Sequence, residues 1–284
     1  MAVARHDHGV LGAGRALASQ VHPIFMLPPL ATSLFGGLLA GGVALPVAGL
    51  HTLAMFFAVY TAHVKDGYVD FHVRGEDDDH PLTVGGCRGA LVGAALGFAG
   101  CLAGLWWLVG PGAALVTLPT WVIGYSHAPQ LDLNPVGATM GYPGGIALAL
   151  LGGYYAQATL FSPRVLGLAA VFLALLTGIK IIDDEKDFDY DRSIDKRTVA
   201  VVLGPTRARR LALSLLVLAM LGVVGLALLV PGVPPTAAGA AVVFGAVLAF
   251  AYRAESTLAT MLLIRGSYLF LAVLVAAVWF RPLG

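Results

Sequence analysis

Charge is scarce in this chain. Asp, Glu, Lys and Arg make up 12% of its 284 residues, against 58% hydrophobic residues. An ordinary soluble domain carries about 25% charged residues, so this composition excludes one and points to an integral membrane protein. Net charge is only +1, so no bulk positive field recruits nucleic acid. The two cysteines, Cys87 and Cys101, fall at opposite ends of one expected helix. They are too far apart to pair and read as packing residues. The first stretch, residues 1–20, carries Arg5, Asp7 and Arg15 and no long apolar run. It reads as a cytoplasmic N-terminal segment rather than a signal peptide. Acid, too, is nearly missing outside two short stretches, where only Asp7, Asp132 and Glu255 occur.

What is present is apolar sequence in long runs. A bilayer core of about 30 Å needs roughly 20 apolar residues per helix. Nine stretches qualify: about 23–42, 46–64, 87–109, 112–128, 141–161, 164–182, 209–230, 236–252 and 259–280. The expectation is an all-α, polytopic membrane bundle of about nine transmembrane helices, forming one domain over residues 1–284. Nine spans put the N-terminus and both acidic stretches on one side. That side also holds Lys65, Arg74, Arg88, Lys186, Arg192, Lys196, Arg197, Arg207, Arg209, Arg210 and Arg253, while the other holds Arg164 and Arg281. The positive-inside rule makes the richer side cytoplasmic. The expected location is the cell membrane, multi-pass, in contact with the lipid bilayer.

The acidic stretches contain Asp66, Asp70, Glu76 and Asp77–Asp79, and then Asp183, Asp184, Glu185, Asp187, Asp189, Asp191 and Asp195. Carboxylates gathered beside lipid are costly unless a cation is bound. Asp66 and Asp70 are four apart and share a helix face. If the sixth span stays helical beyond the membrane, Asp184, Asp187 and Asp191 fall within about 60° of one another. Asp77 can fold back across Gly75 to join the first group. A carboxylate-rich set favours a hard cation such as Mg²⁺; a zinc site using His63, His72 and His80 is the weaker alternative. Arg192, Lys196 and Arg197 follow directly and suit a polyanion. Two carboxylate clusters on one membrane face, each closing a span, suggest metal ions around one diphosphate, with the apolar helices enclosing a lipid tail.

This pattern resembles the UbiA family of intramembrane prenyltransferases. Asp184-x-x-Asp187-x-x-x-Asp191-Arg192, followed by Lys196-Arg-Thr-Val-Ala-Val-Val-Leu-Gly204, is similar to the family's second motif. In the first motif Asp66 stands for the usual Asn, Gly67 for the first Asp and Asp70 for the last. Asp70-Phe-x-x-x-Gly75-x-Asp77 and Gly152-Gly-Tyr-Tyr resemble the branch that prenylates dihydroxynaphthoate. That branch's basic positions have become Asp132 and Asn134, and its Glu has become Ala138.

The resemblance implies Mg²⁺-dependent transfer from a prenyl diphosphate to a hydrophobic or aromatic acceptor. Asp66, Asp70, Asp187 and Asp191 would be catalytic, with Asp184 and Asp77 as further metal ligands. Lys180, Arg192 and Arg197 would contact phosphate. His63, Tyr68, Tyr125 and His127 are candidates for handling the acceptor. A terpene cyclase on the same scaffold is the rival enzyme. A divalent-cation transporter is a more distant rival, because no span carries a carboxylate at its middle.

Overall fold

The computed structural model describes residues 2–280; Arg281 lies outside them. In chain order the α-helices are α1 (Gly9–Ala18), α2 (Pro23–Leu39), α3 (Leu45–Gly67), α4 (Val84–Leu108), α5 (Pro111–Ser126), α6 (Pro135–Ala158), α7 (Pro163–Lys186), α8 (Phe188–Ser193), α9 (Val199–Leu203), α10 (Pro205–Leu229), α11 (Gly239–Ala251) and α12 (Ser256–Phe280). Among the described residues there is no strand, only an isolated antiparallel bridge between Ala4 and Leu82.

Proline opens five of these helices, at the position where a missing N–H costs nothing. Thr83 and Asn134 cap α4 and α6 by accepting from the amides of Gly86 (2.9 Å) and Gly137 (2.7 Å).

All nine expected stretches are helical, yet among the described residues five helices are long and apolar enough to cross a membrane by themselves. The number rises to six if α1 and α2, bent at 67°, form one span. Helix α5, at 16 residues, is short and contains Pro119. Helix α6 is diluted by Gly, Tyr and Gln, and α11 is 13 residues long. Length and hydropathy thus support a multi-pass helical membrane protein without fixing nine crossings.

Helix α7 is central, packing against α6, α10 and α12. Its Phe172 meets Phe270 edge to face at 5.7 Å, and Phe244 meets Phe270 the same way at 6.1 Å. Helices α2 and α6 touch backbone to backbone. A methyl group at Gly36 would collide with the Leu150 carbonyl, and one at Gly153 with the Ser33 carbonyl. The Gly36 segment therefore serves close helix packing, whereas Gly93 on α4 has open space beside it. Between α2 and α3, Ser33 Oγ lies 2.7 Å from His51 Nδ1 and 3.1 Å from Thr52 Oγ1, a polar contact between helices within the bundle, while His51 Nε2 is buried without a partner.

The functional end is built where α3 and α7 stop. Helix α3 continues through a wider turn, Tyr68–Arg74, and ends at Gly75, whose φ of +67° suits glycine. Helix α7 ends at Lys186; Asp187 leaves the helix at φ −98°, ψ +13°, and α8 starts at once.

Candidate active site

A cavity of about 480 Å³ lies between these two helix ends. Its mouth is polar, lined by Asp66, Asp70, Arg74, Glu76 and Asp77 from the first acidic stretch, Asp132 from the α5–α6 connection, and Lys180, Asp183, Tyr190 and Lys196 from the second. Its depth is apolar and aromatic, with Phe25, Pro29, Met55, Ile123, Tyr142 and Ile146 among its walls. The two acidic stretches, more than a hundred residues apart in sequence, thus share one cavity. An apolar chamber with a charged rim suits a molecule with a long apolar tail and an anionic head.

Internal cations hold the carboxylates. Arg74 reaches Asp70 (3.3 Å), Asp132 (3.1 Å) and Glu76 (3.7 Å). Lys180 donates to Asp184 (2.5 Å) and Asp183 (3.3 Å), and Lys196 stands 3.6 Å from Asp191. Tyr190 donates to Glu76 (3.1 Å), joining the two acidic stretches directly. The Arg197 amide donates to the Asp132 carbonyl (3.2 Å) and fixes the α5–α6 turn against the second stretch.

The sequence-selected residues divide into two groups. Asp66, Asp70, Asp77, His63, His127 and Lys180 line the cavity. Asp184, Asp187 and Asp191 do not. Because α7 breaks at Asp187, the stripe that continuous helix would have produced is not formed. Asp184 turns into the protein behind Lys180, Asp191 behind Lys196, and both are 2% exposed. Asp187 is exposed and pairs with Lys186 at 3.4 Å. Burial pushes the Asp191 carboxyl above the ordinary carboxylate range, against the pull of Lys196.

Arg192 and Arg197 are exposed and away from the wall; Lys196 between them is the cation that faces the cavity. Tyr68 packs against the cluster of Val64, Leu82 and Cys87. The Tyr125 ring is covered by the Lys65 ammonium at 4.2 Å. Tyr154 and Tyr155, which carry part of the branch resemblance, sit at the opposite end of α6. Tyr154 lies beside Arg164, and Tyr155 beside Phe161.

Sequence reasoning missed Arg74, Glu76, Asp132 and Asp183 as wall residues. For Asp132 a signal existed: it is one of only three acidic residues outside the two stretches.

The donor set fits a hard divalent cation. Six carboxylates line the mouth, all oxygen donors, and one buried oxygen of Asp191 has no hydrogen-bond partner. Among the described residues no three of these carboxylates come within 4.8 Å of one another; Arg74 holds Asp70, Glu76 and Asp132, and Lys180 holds Asp183.

Comparison with known proteins agrees with this geometry. A family profile described as the UbiA prenyltransferase family matches residues 26–257. No curated protein sequence matches the chain. Among solved structures, that of digeranylgeranylglyceryl phosphate synthase in membranes is similar at a TM-score of 0.75. It has 14% identity and covers 94% of this chain and 98% of its own. An apo UbiA homolog from Aeropyrum pernix K1 gives 0.68 with 17% identity, covering 93% of this chain and 100% of its own. A UbiA homolog from Archaeoglobus fulgidus bound to GPP and Mg²⁺ gives 0.65 with 17% identity, covering 94% and 99%.

Proposed function

The chain belongs to the UbiA prenyltransferase family, and we propose that it transfers a prenyl group from a prenyl diphosphate to a hydrophobic acceptor within the membrane. The observation that carries this reading is one cavity with acidic stretches on both sides of its mouth and an apolar depth beneath. The Archaeoglobus neighbour's structures with GPP and Mg²⁺, and with DMAPP and Mg²⁺, support it from outside. Asp66, Asp70 and Asp77 would hold Mg²⁺ from one side. Asp183 would do so from the other, together with Asp184, Asp187 and Asp191 once they leave their lysine partners. Bound there, the metal supplies positive charge to the oxygens of the departing diphosphate.

The chain's own residues do the rest. Lys180 and Lys196 face the cavity as point charges and Arg74 as a planar fork, three donors for phosphate oxygens. Bond cleavage leaves the electron pair with diphosphate and the positive charge on the allylic carbon. Phe25 and Tyr142, edge to face at 6.4 Å, offer ring faces to that cation, and the apolar walls exclude water. The acceptor attacks the allylic carbon and then loses a proton. His63, its ring 4.7 Å from that of His22 and tilted by 41°, lines the cavity and would serve as the base. The N-terminus and both acidic stretches are assigned to the cytoplasm from the distribution of Lys and Arg.

For the acceptor, the motif pattern suggests dihydroxynaphthoate or another aromatic quinone precursor. Tyr154 and Tyr155 lie away from the cavity and lend this finer reading no support, so a lipid acceptor stands beside it. The test is mass spectrometry of products from purified protein, Mg²⁺, prenyl diphosphates and a panel of aromatic and lipid acceptors. Prenylated acceptor, lost in excess chelator, is the expected product. A cyclised hydrocarbon formed without acceptor would reassign the chain to the cyclase reading, and full turnover in chelator would sink the metal assignment.

A further inference from the structure

A second cluster of donor atoms sits behind the active site, on the far side of the Tyr68–Arg74 turn. One ligand atom each from His72, His80 and Cys87 lies within 4.8 Å of the others. The three come from separate pieces of chain: the wide turn after α3, the loop that follows it, and the first turn of α4. His80 is 4% exposed and Cys87 fully buried. Both imidazoles are oriented by the same residue. His72 Nε2 lies 3.0 Å from the Leu82 carbonyl, and His80 Nδ1 lies 3.2 Å from both the Leu82 carbonyl and its amide. A backbone contact through one ring nitrogen is the arrangement that steers the other toward a metal. The remaining nitrogen of His80 is buried and has no partner, a costly state for a polar atom unless something binds it.

We propose that His72, His80 and Cys87 supply three ligands of a site for a borderline-soft divalent cation of the zinc type, its fourth position open to water, separate from the carboxylate cavity. Two imidazoles and a thiol suit zinc, whereas the oxygen donors of the cavity suit magnesium. Zinc–nitrogen and zinc–sulfur bonds of about 2.0–2.3 Å require the donors to close by about 1 Å. Binding releases the Cys87 thiol proton to solvent; no electron transfer is involved. The loop bound by His72 and His80 also carries Glu76 and Asp77, so the ion would fasten one wall of the cavity to the start of α4. The Ala4–Leu82 bridge and the Arg5–Asp79 pair at 2.9 Å already hold that loop from outside.

The test uses the full chain in detergent, stripped with chelator and reloaded with Zn²⁺ or Co²⁺ alone. After desalting, about one equivalent of zinc should remain, and the cobalt form should show a thiolate-to-metal charge-transfer band. Cys87→Ser and His80→Gln, each checked for monodisperse elution, should lower retained zinc at least tenfold, and Cys87→Ser should remove the band. Asp70→Asn should leave both signals intact, which separates this site from the Mg²⁺ reading. Wild-type protein that retains no zinc above the Cys87→Ser level would overturn the proposal. So would a cobalt spectrum without the thiolate band, even with activity unchanged.

Discussion

Replacing Lys180 by Met removes the cation between two carboxylates while keeping most of its apolar stem. Asp183 keeps a partner, because Lys186 donates to it at 3.1 Å. Asp184 does not: it is 2% exposed, and its remaining contact is the Thr139 hydroxyl at 3.4 Å. The cost therefore concentrates on Asp184. Removing one partner of a buried pair costs about 3–5 kcal/mol. Protonation caps it, since neutralising a carboxyl of ordinary pKa about 3.9 at pH 7 costs about 4 kcal/mol. In a chain of this size that lowers the melting midpoint by about 8–16 °C. The deficit should shrink by about 1.4 kcal/mol per pH unit on acidification, because the buried carboxyl then takes its proton at less cost. Thermal unfolding in detergent micelles at pH 7 and pH 5 reads both effects. Adding Asp184→Asn should recover most of the midpoint but none of the turnover, because Lys180 also faces the phosphate region. A Lys180→Met protein as stable as wild type at pH 7, or a double variant no better than the single one, would refute this account of the pair.

Asp70→Asn and Asp187→Asn should each cut Mg²⁺-dependent diphosphate release at least a hundredfold. Asp187 is exposed, so its loss should move stability by less than about 1 kcal/mol; parallel kinetics and melting separate the two effects. Val at Gly36 or Gly153 should force α2 and α6 apart and destabilise by about 1–3 kcal/mol or more, while Gly93→Ala should be neutral or stabilising by up to about 1 kcal/mol. Equal melting midpoints for Gly36→Val and Gly93→Ala would contradict the packing. Burial raises the Asp191 carboxyl, so its ionisation opposes folding. Its contribution declines as pH rises from the ordinary value, about 3.9, through the raised folded value, and is constant above that. Asp191→Asn should therefore gain stability relative to wild type between pH 4 and pH 7, and a pH-independent difference would show that Lys196 fully offsets the burial.

Local periodicity made some of this legible and tertiary partnering hid the rest. Asp66 and Asp70 are four residues apart on a helix that continues past them, so spacing alone brought both to the cavity. Asp184, Asp187 and Asp191 obey the same geometry only while α7 remains helical. It stops at Lys186, and cations from the turn below and the segment beyond then draw Asp184 and Asp191 inward. Asp132 and Arg74 meet across 58 positions, which no spacing rule reaches. Cys87 read as packing because its neighbours His72 and His80 are joined to it only by the fold. Hydropathy found every long helix, while length and hydropathy together pass five or six of the nine stretches as crossings, since α5 and α11 are short.

The charge on the cavity wall states a requirement of its own. Six carboxylates, Asp66, Asp70, Glu76, Asp77, Asp132 and Asp183, face three cations, Arg74, Lys180 and Lys196. That is a formal excess of three negative charges, in a chamber whose depth is apolar. A diphosphate head brings roughly three more, and like charges in a poorly screened site repel strongly. Three basic side chains already committed to carboxylates cannot offset both. A bare diphosphate should therefore be repelled, and binding should need a divalent cation that enters with it or before it. Isothermal titration of the purified protein with a non-hydrolysable prenyl diphosphate reads this directly. Affinity should rise at least a hundredfold with saturating Mg²⁺. Without Mg²⁺, Asp132→Asn and Asp183→Asn should each tighten the residual binding, because each removes one repelling charge. If the analogue bound equally well in chelator, the basic side chains alone would suffice, and the acidic stretches would need another purpose.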